Sequence, residues 1–313
     1  MLNTLQVEIV MIKEPFFSVI IPTYNRAAFV VNAIQSVINQ VFSDWELIVV
    51  DDGSTDHTKE VVTVLNDERI RYVYQQNAER SAARNNGIRH ARGKFICFLD
   101  SDDVYLPNHL ECFYKLISEK NEAEAMYVAN VARNEFGKIV EVPFENAADY
   151  RNAVCFFLAA GESIIPARVC IHKSIWNDFE FDESLKDVED MVLWVQIVAK
   201  YPLFQTPDST SIYFIHRYNS TNLINNPYGN QLIGLKKIFR DPALNKMIPS
   251  SVRKQKLSRC YQGIAEFNFY QKDYSQMMRN LITSIFCNPS SPSTRVKLRM
   301  MGAGFAYALG LKR

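Results

Sequence analysis

No stretch of this chain reaches the ~18–20 consecutive apolar residues that a membrane-spanning helix needs. The segment from Met1 to Phe17 carries Glu8, Lys13 and Glu14, where a secretory leader would be continuously apolar. The expectation is therefore a protein that stays in the cytoplasm. Cysteine is sparse, and Cys97, Cys112, Cys155, Cys170, Cys260 and Cys287 include no Cys-x-x-Cys pair that would point to zinc or redox chemistry. Scattered among mostly apolar neighbours, they read as buried thiols. Glycine-built phosphate cradles are missing too. No Gly-x-Gly-x-x-Gly follows the first strand and no Gly-Lys-Ser/Thr loop occurs, which argues against a dinucleotide dehydrogenase. A nucleotide bound here would need its phosphates neutralised by a cation held on carboxylates.

What remains is an ordinary globular composition, 48% hydrophobic and 22% charged, with enough chain for one large domain and an appendage. The net charge of +1 hides an asymmetry: residues 251–313 hold 11 Lys/Arg against Glu266 and Asp273, a local +9, which leaves −8 on the first 250. The basic end interleaves its charges with Leu298, Met300, Met301, Phe305, Tyr307, Leu309 and Leu311. That mixture suits an amphipathic helix on an anionic membrane surface, or a helical cap packed on the rest of the protein, and the two are compatible. A nucleic-acid-binding tail is a third reading, one that predicts strongly salt-dependent binding.

Residues 16–99 alternate short β-rich runs with helical patterns, as parallel strands joined by crossovers require. Phe17 to Ile21 reads as the first strand, and Phe29/Val30, Ala33/Ile34 and Val37/Ile38 recur at helical spacing after it. Trp45 to Val50 is the second strand, Ile70 to Tyr74 the third and Lys94 to Leu99 the fourth, with helices predicted around Val61 to Leu65 and over Ser81 to Ala91. The fourth strand delivers Asp100, Asp102 and Asp103 at its carboxyl end, the side on which open α/β sheets bind ligands. Carboxylates so close repel unless a cation sits among them, although a solvated turn makes similar triplets.

Four segments carry a resemblance in both order and spacing: Val19-Ile20-Ile21-Pro22-Thr23-Tyr24-Asn25-Arg26, Val50-Asp51-Asp52-Gly53-Ser54-Thr55-Asp56, Ala83-Arg84-Asn85-Asn86-Gly87, and Phe98-Leu99-Asp100-Ser101-Asp102-Asp103 followed by Pro107. Over about residues 16–222 the chain closely resembles the family 2 glycosyltransferases, inverting enzymes that use nucleotide sugars. The resemblance implies an α/β fold of the GT-A type, a Rossmann-like, mostly parallel sheet flanked by helices. Residues 1–15 would be an N-terminal extension, 16–227 the transferase domain (donor half 16–107, acceptor half 108–227) and 228–313 a helical, basic extension. One departure is Glu79, which stands where the family pattern leads us to expect glycine.

By resemblance, Pro22, Thr23 and Tyr24 line the base and ribose of the donor while Asp52 hydrogen-bonds the base. A carboxylate accepts the imide N–H of uracil and has no such partner on cytosine's N3, so a UDP-sugar is favoured, with thymidine diphosphate an open alternative and guanosine a weaker one. An Asx turn onto Gly53 or Ser54 is the structural alternative for Asp52, and Asp56 reads as a helix cap. Arg84 is placed to grip a phosphate with Ser101 nearby, to set the acidic cluster by pairing with Asp100, or simply to form a structural salt bridge. The resemblance makes Asp100 and Asp102 the holders of Mg or Mn, with His216 near the metal and Arg217 an alternative phosphate partner; a histidine packed among aromatics is the plain reading of His216. Asp190, in Glu189-Asp190 ahead of a Trp194-bearing helix, becomes the base and Glu189 the residue that orients it or the acceptor, whereas residue types alone suggest a helix-start cap. Trp176, Phe179 and Phe181 are either acceptor-stacking rings or aromatic core.

The function implied is transfer of a sugar to a hydroxyl of a saccharide or lipid-linked acceptor in bacterial surface polysaccharide or lipopolysaccharide synthesis. The enzyme would sit in the cytoplasm, touching the membrane surface through 295–313, with no nucleic-acid partner. Residues Tyr261 to Pro289 resemble a helical hairpin that some relatives append. A non-catalytic protein that kept the fold to bind nucleotide sugars or glycans is the alternative. A sugar nucleotidyltransferase would need a glycine-rich opening loop that Pro22-Thr23-Tyr24-Asn25 does not provide.

Overall fold

Phe17-Ser18-Val19-Ile20-Ile21 has no continuous polar face to offer water, and it forms the central strand β1 (Phe17–Thr23), buried along its whole length. In the computed structural model, which describes residues 14–160, 164–216 and 226–308, β1 lies between β2 (Trp45–Asp51) and β4 (Phe95–Phe98), parallel to both. β3 (Ile70–Tyr74) adds in parallel outside β2. The crossovers are α1 (Ala27–Ile38), α2 (Thr58–Thr63) and α3 (Glu79–His90), close to the expected helices. Because Thr23 pairs with Asp51 and Ile20 with Phe98, the loops after β1, β2 and β4 open on one sheet edge.

Beyond β4 the pairing changes. β5 (Val104–Tyr105), β6 (Met126–Glu135), β7 (Lys138–Glu141), β8 (Val169–His172) and β9 (Leu203–Ile215) complete the order β3-β2-β1-β4-β8-β6-β9-β5, with β7 on the far end of β6. β8 runs antiparallel to both β4 and β6, so the parallel character belongs to the first half and the second half is mixed. β9 lies parallel to β6 as far as Glu135 opposite Ile215, bringing His216 to the same edge as the acidic loop.

Alternation along β1 feeds two cores. Phe17, Val19 and Ile21 pack with α1 and with α4 (His109–Glu119) on one face of the sheet. Ile20 and Phe98 face α3, α5 (Ala153–Ala160) and α6 (Glu189–Val198) on the other. α3 lies so close to β1 that a Cβ on Gly87 would come within 2.5 Å of Ile20 Cγ2. α6 is buried on nearly every face, as its apolar composition predicts. Trp176, Phe179 and Phe181 belong to this core: Phe181 is 1% exposed and stacks on Trp176 at 5.9 Å, while Phe179 packs edge-on against Tyr201.

α7 (Pro227–Arg240) and α8 (Pro242–Met247) extend the α6 core through Leu232, Leu235, Ile238 and Leu244. α9 (Ser250–Tyr270) and α10 (Tyr274–Cys287) form the expected hairpin, and α11 (Thr294–Ala308) docks on it. The docking residue is Lys297, fully buried, whose Nζ donates to Ser258 Oγ at 2.7 Å while Met300 and Met301 pack toward Met277 and Leu281. The basic end is thus a packed cap over its described part. Cys97, Cys155, Cys170 and Cys260 are buried thiols, and Cys112 and Cys287 are partly accessible.

Candidate active site

The three loops meet in a cleft of about 460 Å³ lined by Pro22, Thr23, Tyr24, Asp52, Arg84, Asp100, Ser101 and Asp102, together with Arg26, Asn77, Glu79, Arg80, Ala83 and Tyr213. A larger cleft of about 770 Å³ between residues 178–184, α6 and α8 holds none of the four motifs.

The first two loops are laced by side chains. Asn25, held at φ +52, accepts from Thr55 N at 2.8 Å, and its own N–H donates to Ser54 Oγ at 2.8 Å. Asp56 accepts from Ala27 N at the start of α1 and from Thr58 N at the start of α2, so it serves both helix ends. The Asx turn considered for Asp52 is made by its neighbour: Ser54 N donates to Asp51 Oδ1 at 2.8 Å, and Tyr72 holds the other oxygen. Asp52 turns into the cleft, accepting from Gln75 Nε2 at 2.7 Å and Ala78 N at 2.9 Å. Burial pushes its carboxyl above the usual aspartate range, and those two hydrogen bonds oppose the shift. Thr23 Oγ1 is buried with no hydrogen-bond partner among the described residues.

Glu79 explains the missing glycine. Its φ is +72, in the left-handed region that glycine enters without cost, and its N–H also supports Asp52.

Arg84 is the centre of the site. One face of α3 projects it into the protein interior, where Nη1 donates to Glu189 Oε1 and Nη2 to Asp100 Oδ1, both at 2.7 Å. Burial opposes its charge, but Asp100 and Glu189 more than offset that and raise its pKa further. The cation that three close carboxylates require is thus supplied in part by the protein itself. Asp102 takes a different partner, His216 Nε2 at 3.0 Å, with Arg26 at 3.8 Å. Asp103 points inward, 1% exposed, and accepts from Phe214 N at 3.0 Å; burial, then Asp100 and Asp102, drive its pKa well up.

Neither carboxylate at the start of α6 makes a capping bond to a later helix amide. The N-cap is Val188 without a side-chain bond; Glu189 is sunk under Arg84, and Asp190 Oδ1 accepts only from the adjacent Met191 N at 2.6 Å. Asp190 is partly accessible, and its pKa is pushed up to about 7, by burial first and Glu189 second, against the pull of Arg84. The segment leading to it is tied to α3 by Asn85 to Phe181, Arg80 to Asp187 at 3.2 Å and Glu79 to Lys186 at 3.8 Å. A carboxyl group whose pKa lies near neutrality is thereby fastened to the helix that holds the acidic loop.

Arg217 lies outside the described residues. Arg26, at the end of the first motif, and Arg80, just ahead of the third, are further cations of the cleft. Arg26 had one available signal, its place at the end of the first loop on the binding edge.

The family model for Glycosyl transferase family 2 matches residues 18–183. A GalNAc(5)-diNAcBac-PP-undecaprenol β-1,3-glucosyltransferase of Campylobacter jejuni is 30% identical over 292 residues, 89% of this chain and 91% of that protein. A UDP-Glc:α-D-GlcNAc-diphosphoundecaprenol β-1,3-glucosyltransferase of Escherichia coli is 40% identical over 182 residues, 58% of this chain and 69% of that one. An uncharacterized glycosyltransferase of Rickettsia felis is 32% identical over 75% of this chain, which spans only 39% of that relative's length. Among solved structures, Staphylococcus aureus TarS 1–349 in complex with UDP-GlcNAc shares the fold at a TM-score of 0.64 with 19% identity, covering 94% of this chain and 92% of that one.

Proposed function

The chain belongs to glycosyl transferase family 2, and from that premise we propose that it is a metal-dependent, inverting hexosyltransferase moving a sugar from a UDP-sugar to a hydroxyl of a saccharide or lipid-linked acceptor. The observation that carries this reading is the convergence, in one cleft, of Asp52 from the loop after β2, Arg84 from α3, and Asp100 and Asp102 from the loop after β4, with Arg84 reaching through to the α6 segment that bears Asp190. Residues 16–227 would make up the transferase domain and 228–313 the extension.

Pro22, Thr23 and Tyr24 form the wall for the base and ribose. A carboxylate has about four lone-pair sites, so Asp52's bonds from Gln75, Ala78 and Glu79 leave one for the imide N–H of uracil. Arg84 and Ser101 border the diphosphate position. Asp100 and Asp102 are hard oxygen donors that fit Mg or Mn. Asp100 and Asp102 would hold such an ion together with the oxygens of the donor diphosphate. His216, bonded to Asp102, would orient that ligand or join it. When bound, such an ion supplies Lewis-acid charge to the departing diphosphate.

Asp190 accepts the proton of the acceptor hydroxyl as that oxygen bonds the anomeric carbon, and the bond from that carbon to the diphosphate oxygen breaks with the electron pair. One displacement inverts the configuration and needs no covalent enzyme intermediate. Glu189 takes no part in proton transfer; it holds Arg84 and raises the basicity of Asp190.

The undecaprenol-linked acceptors in the names of the relatives from Campylobacter jejuni and Escherichia coli support a polyprenyl-diphosphate-linked acceptor. Such an acceptor places the enzyme on the cytoplasmic membrane surface, with contact through 295–313. Among the described residues no helix is long and apolar enough to cross a membrane.

The test is calorimetric titration with uridine, thymidine and guanosine diphosphate sugars, each with Mn, with Mg and with chelator. Metal-dependent binding of a uridine donor, lost in Asp102→Asn, is expected. Binding of no donor overturns the reading in favour of a degenerate relative.

A further inference from the structure

The docking of α11 fixes which way its charges face. Lys297 points inward to Ser258, so Arg295 and Arg299, two residues either side on the helix, project outward, and both are exposed. Val296 and Leu298 flank the buried lysine at 49% and 55% exposure. On α10, Met277, Leu281 and Ser284 take the inner face, which leaves Arg279, Ile282 and Phe286 on the outer one. Phe286 is 81% exposed at the last turn of α10, a short link before α11 begins.

We propose that this α10–α11 corner, with Phe286 as its apolar anchor and Arg279, Arg295 and Arg299 as its cationic rim, is the face that seats the protein on an anionic lipid surface. The proposal rests on the membrane contact suggested above and moves it from an undocked tail to a rigid corner that includes α10. Charge complementarity selects the occupant: the last 63 residues carry +9 against −8 on the rest, so like faces of two copies repel each other. Exposed Ile282, Phe286, Val296 and Leu298 have no counterpart in phosphate-backbone binding, whereas an interfacial site needs apolar groups ringed by basic ones. Lys297 acts as the latch that keeps this face presented.

Flotation of the full chain with phosphatidylcholine vesicles, with and without phosphatidylglycerol, tests this. The protein should float with the anionic vesicles. Phe286→Ser should weaken that binding about tenfold. Arg279→Glu/Arg295→Glu/Arg299→Glu should remove the phosphatidylglycerol preference, a loss on the order of a hundredfold. Unchanged melting and donor titration would show that both variants fold. None of the four residues lines the donor cleft, so failure of donor binding in the parent protein would overturn the transferase reading without touching this one. Wild-type flotation by both variants overturns the proposal. So does retention of RNA binding with no vesicle binding, or sedimentation as a dimer that Phe286→Ser dissociates.

Discussion

Arg84→Met is the perturbation with the largest expected consequence. The guanidinium and Glu189 are each 3% exposed at the side chain, whereas the Asp100 side chain keeps 30% of its surface in contact with solvent. Removing the arginine therefore strands one buried carboxylate, Glu189, and one that water still screens. Breaking a buried pair from one side costs about 3–5 kcal/mol, nearly all of it on Glu189. An unfolding entropy of about 2.1 cal/mol/K per residue over 313 residues gives roughly 0.66 kcal/mol/K, so Tm falls by about 5–8 °C. Adding Glu189→Gln removes the stranded charge, and the double variant should recover more than half of the loss. Thermal and denaturant unfolding of the four proteins in the cycle measure this. A single Arg84→Met variant that melts with the wild type, or a double variant that sums the two singles, refutes the account of Arg84 as the buried link between the acidic loop and α6.

Asp190, with its pKa pushed up to about 7, gives two further expectations. kcat/KM should rise through that pH to a plateau as the base ionises. Because the folded pKa exceeds the unfolded one near 3.9, the favourable contribution of the protonated group is complete below about pH 4 and disappears as pH rises through 7. Asp190→Asn should therefore abolish transfer, retain donor binding and melt higher than wild type at pH 8 but not at pH 4; equal Tm at both pH values counts against the shift. Glu79→Gly relieves a left-handed φ and removes a carboxylate from the cleft, so it should raise stability by up to ~1 kcal/mol and tighten donor binding a few-fold. A fall in Tm would contradict the strain at that position. Phe136, 92% exposed, forms with Gly137 a two-residue hairpin turn in which both φ are positive, +54 and +95. Phe136→Asn supplies the residue such a turn favours and should gain about 1 kcal/mol, read as a rise in Tm of ~1–2 °C.

Local signals carried the first half of the fold. Phe17 to Ile21, Trp45 to Val50 and Phe95 to Leu99 are apolar at every position but Ser18 and Glu46 because they are covered on both faces, and helical periodicity between them dictates crossovers. Once those strands are parallel, their following loops share an edge, so Pro22 to Tyr24, Asp52 and Asp100 to Asp102 could be assembled from order alone. The second half offered no comparable rule. β8 enters antiparallel between β4 and β6 because of partners up to about 75 residues away, and nothing within Val169 to His172 encodes that choice.

The chain by itself determined which chemical groups were available and on which sheet edge most of them would fall, because strand period, helix period and turn residues act over a few positions. Only the tertiary structure decided how those groups divide their roles. Arg84 meets Glu189 across 105 residues and Asp100 across 16, Asp102 turns out to His216 while its neighbour Asp103 turns in to Phe214, and Lys297 is buried while Arg295 and Arg299 face solvent. In each case the residue type was legible, and the decision lay in which long-range partner could satisfy a charge removed from water. That energy arises from packing and desolvation, which are properties of the assembled fold.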